Sequence, residues 1–94
     1  LVYKDKSLTY SQLNRKSNQV AHYLIDKGLD KGEIVALLID RSIEVIVGIL
    51  GIIKAGGAYL PIDTSYPKER IEYIIKDSKA FTTLYQRDIQ NIIE

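Results

Sequence analysis

The chain has 94 residues, 46% hydrophobic and 27% charged, with 13 basic side chains against 12 acidic ones. That length fits one small domain, which buries only about 60 to 65% of the surface its open chain would expose. A net charge of +1 in mixed signs leaves no electrostatic footprint for nucleic acid or acidic lipid, and the lack of cysteine excludes a disulfide framework and a thiol nucleophile.

Val2 to Leu8 holds two short half-apolar pieces around Lys4-Asp5-Lys6-Ser7, the pattern of a small hairpin that would be marginal alone. Thr9 and Gln12 give the T-x-x-Q form of a capping box, and Leu13, Val20, Ala21 and Leu24 recur at helical spacing with Ser17 on the same face. This predicts a helix over Tyr10 to Lys27. Gly28 stands at its C-terminal cap, where Leu29 can fold back on Leu24. Ile34 to Ile39, IVALLI, is a continuous apolar run, which predicts a strand covered on both faces, as in a parallel sheet.

Ser42 can cap a central helix whose core, Ile43 to Ile53, is aliphatic apart from Glu44, Gly48 and Gly51. Such a helix needs cover on more than one side, and at 1.5 Å per residue it spans about half of the roughly 30 Å of a bilayer. Each glycine costs about 1 kcal/mol against alanine, while each buried aliphatic gains roughly 1.5 to 3 kcal/mol. Three apart, the glycines share a face that admits a neighbouring backbone. Lys54 suits the negative end of the helix, and Gly56 or Gly57 can take the left-handed cap.

Tyr59, Leu60 and Ile62 then form a strand, in which Pro61 calls for an edge position. Pro67 favours the first place of a helix running to Ser78, with Ile71, Ile74 and Ile75 as its buried stripe and Glu72 and Lys76 as an exposed pair. Phe81 to Tyr85 forms a further strand, and Asp88 can cap a last helix. The alternation predicts an α/β fold: an open, mostly parallel sheet of at least three strands in a three-layer arrangement with flanking helices. Open sheet edges and spare apolar surface on the central helix predict packing against further chain, or self-association. The chain opens at Leu1, has no methionine and closes on DIQNIIE. It therefore reads as a segment of a longer polypeptide. With no charged-then-apolar leader in view, a cytoplasmic location is the default expectation.

Little reactive chemistry stands out. One histidine and no cysteine cannot supply an ordinary zinc site. His22, beside Asn18 on the first helix, reads as a surface residue, and no Gly-x-Ser-x-Gly turn presents a serine to it. Gly51 to Gly56 matches the first six places of a phosphate loop, but Gly57 and Ala58 stand where Lys and Ser/Thr are required. A phosphate also needs a helix beginning, and these glycines lie at a helix end. In open α/β sheets ligands gather beyond the carboxyl ends of the strands. Those ends, Asp40-Arg41, Asp63-Thr64-Ser65 and Gln86-Arg87, are the candidate contact residues, with caps and solvated turns as their plainer role. Arg70 and Asp77 read as surface ion-pairing residues on the third helix.

Two stretches carry a resemblance. Leu8-Thr9-Tyr10-Ser11-Gln12-Leu13-Asn14 resembles the first core motif of the adenylation domains of nonribosomal peptide synthetases, in the adenylate-forming ligase superfamily. Lys54-Ala55-Gly56-Gly57-Ala58-Tyr59-Leu60-Pro61-Ile62-Asp63 resembles their second. Tyr66-Pro67-Lys68-Glu69-Arg70-Ile71 and Asp77-Ser78 resemble the segment that trails it. Gln12 stands for the usual Glu and keeps its capping role, Thr64 replaces a common proline, and the tail from Ala80 matches less distinctly.

The resemblance implies that residues 1–94 form part of the large N-terminal subdomain of an adenylation domain. It implies a parent enzyme that condenses an amino acid with Mg2+ and ATP to an aminoacyl adenylate, releases pyrophosphate, and passes the acyl group to the phosphopantetheine thiol of a peptidyl carrier domain. The family residues that bind ATP, select the amino acid and catalyse the reaction lie outside the motifs matched here. No catalytic, cofactor-binding or metal-binding residue is therefore transferred, the chain alone is expected to be inactive, and the amino acid is not specified. Two alternatives stay open: a fatty acyl- or aryl-CoA ligase of the same superfamily, and a stand-alone non-catalytic α/β module binding through its sheet edge or apolar helix face. Tyr59 to Asp63 with Tyr66-Pro67 favours the peptide-synthetase branch.

Overall fold

A computed structural model describes residues 2–3, 6–39 and 42–93. Of the expected turn Lys4-Asp5-Lys6-Ser7, Lys4 and Asp5 lie outside these residues, as does the strand end Asp40-Arg41, and Lys6 and Ser7 form a strand and not part of the turn. The elements in chain order are β1 (Val2–Tyr3), β2 (Lys6–Ser7), α1 (Tyr10–Asp26), β3 (Ile34–Ile39), α2 (Ile43–Lys54), β4 (Ala58–Asp63), α3 (Lys68–Ser78), β5 (Thr82–Leu84) and α4 (Gln86–Ile93). β1 and β2 pair antiparallel, as the hairpin pattern requires.

α1 begins on the full capping box: Thr9 Oγ1 accepts from the Gln12 N–H at 3.0 Å, and Gln12 Oε1 accepts from the Thr9 N–H at 2.9 Å. At the other end Gly28 takes φ 101°. Its N–H donates to the Ile25 carbonyl at 2.9 Å, and that of Leu29 to the Leu24 carbonyl at 3.1 Å. Leu29 thereby folds into the same core as Leu24.

The sheet runs β4-β3-β5, and both pairings are parallel. Successive strand residues point to opposite faces. Val35 and Leu37 join the core beneath α1, α2 and α4, while Ala36 and Leu38 join Ile62 under the half-buried Ile71, Ile74 and Ile75 of α3. The continuous run IVALLI is thus covered on both sides, and three layers result. Pro61 lies opposite Leu37 on β4, an outer strand, where a missing N–H interrupts no second ladder.

α2 buries Ile43, Val45, Val47 and Ile52 but leaves Ile53 54% exposed, so it keeps spare apolar surface. Its two inner glycines serve different neighbours. A Cβ on Gly51 would lie 2.5 Å from Val20 Cβ and 3.1 Å from the Ser17 carbonyl oxygen of α1. One on Gly48 would meet only side chains, Ile89 Cδ1 at 2.8 Å and Leu37 Cδ1 at 3.2 Å. The expected approach of a backbone therefore holds for Gly51 alone. At the helix end Gly56 is the left-handed residue, with φ 86°. Gly57 leaves little room for a side chain, since a Cβ there would lie 3.0 Å from Leu29 Cδ2 and 3.2 Å from the Glu33 carbonyl oxygen.

Several local expectations shift. Pro67 is the N-cap of α3, one place earlier than expected, and Lys79 closes that helix in the left-handed region. Glu72 pairs with Lys68, at 3.9 Å, and not with Lys76. At such exposed sites an ion pair is worth too little to fix one partner. Arg70 lies over the Tyr66 ring, 4.8 Å from its centroid, a cation–π contact in place of the expected ion pair. β5 is shorter than Phe81 to Tyr85 because Tyr85 already serves the start of α4. There Asp88 caps from the third helical place, its Oδ2 accepting from the Tyr85 N–H at 2.8 Å.

Candidate functional site at the carboxyl ends of the strands

The register sets Ile39 level with Asp63, so β3 and β4 end together, while β5 ends at Leu84, level with Leu37 and two residues earlier. The connection from β3 to β4 runs through α2 on one face, and that from β4 to β5 through α3 on the other. The chain therefore departs to opposite faces from the two sides of β3. Such a switch in direction opens a crevice at the strand ends, the usual ligand position in open α/β sheets. A cleft of about 450 Å³ lies here, lined by Leu38, Thr64, Tyr85, Gln86, Arg87 and Asp88. The fold thus brings together two of the three expected turns, while Asp40 and Arg41 fall outside the described residues.

Most polar groups around this cleft are already engaged in holding the fold. Asp63 Oδ1 accepts from the Ser65 N–H at 2.8 Å. That backbone bond, and then the Ser65 side chain, hold the exposed carboxyl below its ordinary range. Gln86 Nε2 donates to Glu44 Oε1 at 3.0 Å, and Gln90 Nε2 donates to the same oxygen at 2.9 Å. Glu44 is only 5% exposed, so the first turn of α2 carries a buried carboxylate that fastens α4. Sequence reasoning takes Glu44 as an interruption of the apolar run. Two glutamines four apart on α4 are the available signal, because i,i+4 places them on one face.

The remaining candidates stay apart from this cleft. His22 is exposed on α1 and lines a separate hollow of about 550 Å³ between α1 and α4, with Gln19, Tyr23, Asp26, Asp88 and Asn91 among its neighbours. At the end of the partial phosphate-loop match the Gly56 N–H goes to the Ile53 carbonyl, and just beyond it the Gly57 N–H goes to the Ile52 carbonyl, both at 3.0 Å. Among the described residues no three His, Cys, Asp or Glu side chains gather as a metal site, and no helix is long and apolar enough to cross a membrane.

Fold and cleft together define an open, doubly wound α/β unit of the kind that presents ligands at the carboxyl edge of its sheet. The chain belongs to the family of AMP-binding enzymes, whose family model matches residues 1–93.

Among its relatives, bacitracin synthase 2 of Bacillus licheniformis is 47% identical over 94 residues, covering 100% of this chain and 4% of that protein. Gramicidin S synthase 1 of Brevibacillus brevis is 46% identical over 93 residues, covering 99% of this chain and 8% of that protein. The chain thus spans under a tenth of these relatives' lengths. Among solved structures, the nonribosomal peptide synthetase FmoA3 in its AMPPNP-bound form superposes with a TM-score of 0.88 at 29% identity, over 99% of this chain and 10% of that one. The NpsA N-terminal subdomain of Klebsiella oxytoca gives 0.80 at 25% identity, over 99% of this chain and 29% of that one. The resemblance drawn from the two motifs, to adenylation domains of nonribosomal peptide synthetases, is borne out over almost the whole chain.

Proposed function

We propose that residues 1–94 are a scaffold segment within the large N-terminal subdomain of an amino-acid-activating adenylation domain. In the reaction of the parent, a carboxylate oxygen of the amino acid attacks the α-phosphorus of ATP, the bond to pyrophosphate breaks, and an aminoacyl adenylate forms. A phosphopantetheine thiol on a carrier domain then takes the acyl group and AMP departs. Mg2+ accompanies ATP, and the partners of this segment are the remainder of the adenylation domain and the carrier domain.

The observation that carries this reading is the unbroken match of residues 1–93 to the AMP-binding family, with synthetase relatives at 46 to 47% identity. The segment's own share is architectural. The glycine N–H groups close a helix, and the glutamine and acid side chains at the strand ends cap or tie neighbouring elements. We assign it no catalytic, nucleotide-binding or metal-binding residue.

Amino-acid-dependent exchange of labelled pyrophosphate into ATP tests this. A protein carrying the chain within a complete adenylation domain exchanges label with one or a few amino acids, and the 94-residue chain alone exchanges none. Exchange by the isolated chain overturns the scaffold assignment. A complete protein that responds to fatty or aryl acids and not to amino acids moves the assignment to the acyl-CoA ligase branch.

A further inference from the structure

The two sequence motifs that carry the family resemblance, one ending at Asn14 and the other beginning at Lys54, touch in the fold across 40 positions of sequence. Lys54 Nζ donates to Asn14 Oδ1 at 2.7 Å, Ser17 Oγ at 2.8 Å and Asn18 Oδ1 at 3.0 Å, with the Asn14 carbonyl oxygen further off at 3.4 Å. An ammonium has three hydrogens and no acceptor, so the three short contacts use its full capacity. Ser17 is fully buried and donates its own hydrogen to the Asn14 carbonyl at 3.0 Å, which leaves its oxygen lone pairs for Lys54. Gly51, one turn before Lys54, is where α1 comes up against the backbone of α2, through Val20 and the Ser17 carbonyl. The close approach and the ammonium therefore lie on one stripe of α2.

We propose that Lys54, Asn14, Ser17 and Asn18 form a single interhelical lock, in which the ammonium heading the second motif seats in an oxygen cage offered by the end of the first motif and the turn after it. The two motifs are then two halves of one device that fixes how α1 crosses α2. This role differs from the general one of a lysine at a helix C-terminus, which acts on the helix dipole through charge alone. The lock does not depend on the chemistry of the whole protein.

The two roles separate in a double-mutant cycle on the whole chain, read as the midpoint of thermal unfolding. Lys54→Met lowers the midpoint by about 5 to 10 °C. Lys54→Arg lowers it too, because a planar fork cannot place three hydrogens on three converging oxygens. Asn14→Ala also raises helix propensity, so the coupling and not the single change is the diagnostic quantity. In the Asn14→Ala background the effect of Lys54→Met falls to half or less. The Lys54→Met deficit persists in about 1 M NaCl, since the acceptors are neutral dipoles in contact with the ammonium, whereas a dipole effect is screened. Full replacement by arginine, additive single effects, or a deficit that vanishes in salt would overturn the lock. If Lys54→Met does not fold, the same cycle is run with Lys54→Arg, where coupling to Asn14→Ala supports the lock and additivity overturns it.

Discussion

Replacing Gly51 by alanine tests the helix crossing on which the larger core is built. The added Cβ would stand 2.5 Å from both Val20 Cβ and Val20 Cγ1, and 3.1 Å from the Ser17 carbonyl oxygen. Carbon atoms in contact sit at about 3.5 to 4.0 Å, so α1 and α2 must part by roughly 1 Å. A β-branched side chain offers little rotation to escape, and the other atom is backbone. The same displacement stretches the Lys54 bonds at 2.7, 2.8 and 3.0 Å beyond useful length. Alanine returns about 1 kcal/mol of helix propensity. Overpacking costs about 1 to 3 kcal/mol, and weakened bonds to a charged group cost about 1.5 to 3 kcal/mol. The net loss is about 1.5 to 5 kcal/mol, which lowers the unfolding midpoint by about 6 °C or more. Gly48→Ala is the internal control. Its Cβ would meet the movable side-chain ends of Ile89 and Leu37 at 2.8 and 3.2 Å, so its net change stays within about 1 kcal/mol. Thermal unfolding by circular dichroism measures both. A Gly51→Ala variant as stable as the parent, or less damaged than Gly48→Ala, would refute the close-crossing argument.

Three further outcomes follow from local geometry. Thr9→Ala removes one half of the capping box on α1 and costs about 1 kcal/mol in denaturant unfolding; an unchanged midpoint contradicts the cap. Glu44→Ala leaves the Gln86 and Gln90 amides without their shared acceptor. It costs about 2 to 3 kcal/mol and speeds amide exchange in α4 above all, so unchanged α4 protection would count against the tie. The Asp63 carboxyl is held below its ordinary 3.8, mainly by the Ser65 backbone N–H. Its contribution to stability is present above 3.8 and is lost as pH falls through the lower folded value. An NMR titration of the Asp63 carboxyl carbon therefore has its midpoint below 3.8, and Asp63→Asn falls behind the parent near neutral pH but matches it in strong acid. A raised midpoint reverses the sign and refutes the turn.

The elements legible in the sequence are those with local, one-dimensional causes. The capping box at Thr9 and Gln12, the glycine stops at Gly28 and Gly56, the doubly covered run Ile34 to Ile39 and the edge position of Pro61 all follow from periodicity and turn chemistry. The two motifs with the residues trailing the second carry the family. What sequence cannot supply are contacts fixed by how elements cross. Lys54 reads as a partner of its own helix dipole because Asn14, Ser17 and Asn18 lie on another helix. Glu44 looks like a break in an apolar run because Gln86 and Gln90 are brought to it only by the docking of α4. Gly48 and Gly51 share a helical face but meet different elements, which no spacing rule reports. At the candidate cleft the sequence names two of the turns that line it, through the rule that ligands gather at strand ends. It does not show that Gln86 and Asp88 are committed to Glu44 and Tyr85.

The central claim is that this segment builds the subdomain while the nucleotide is held by other parts of the protein. Calorimetric titration of the 94-residue chain with ATP and Mg2+ tests it most directly. No saturable heat is expected at ligand concentrations up to about 1 mM, and a dissociation constant of about 10 μM or tighter would contradict it.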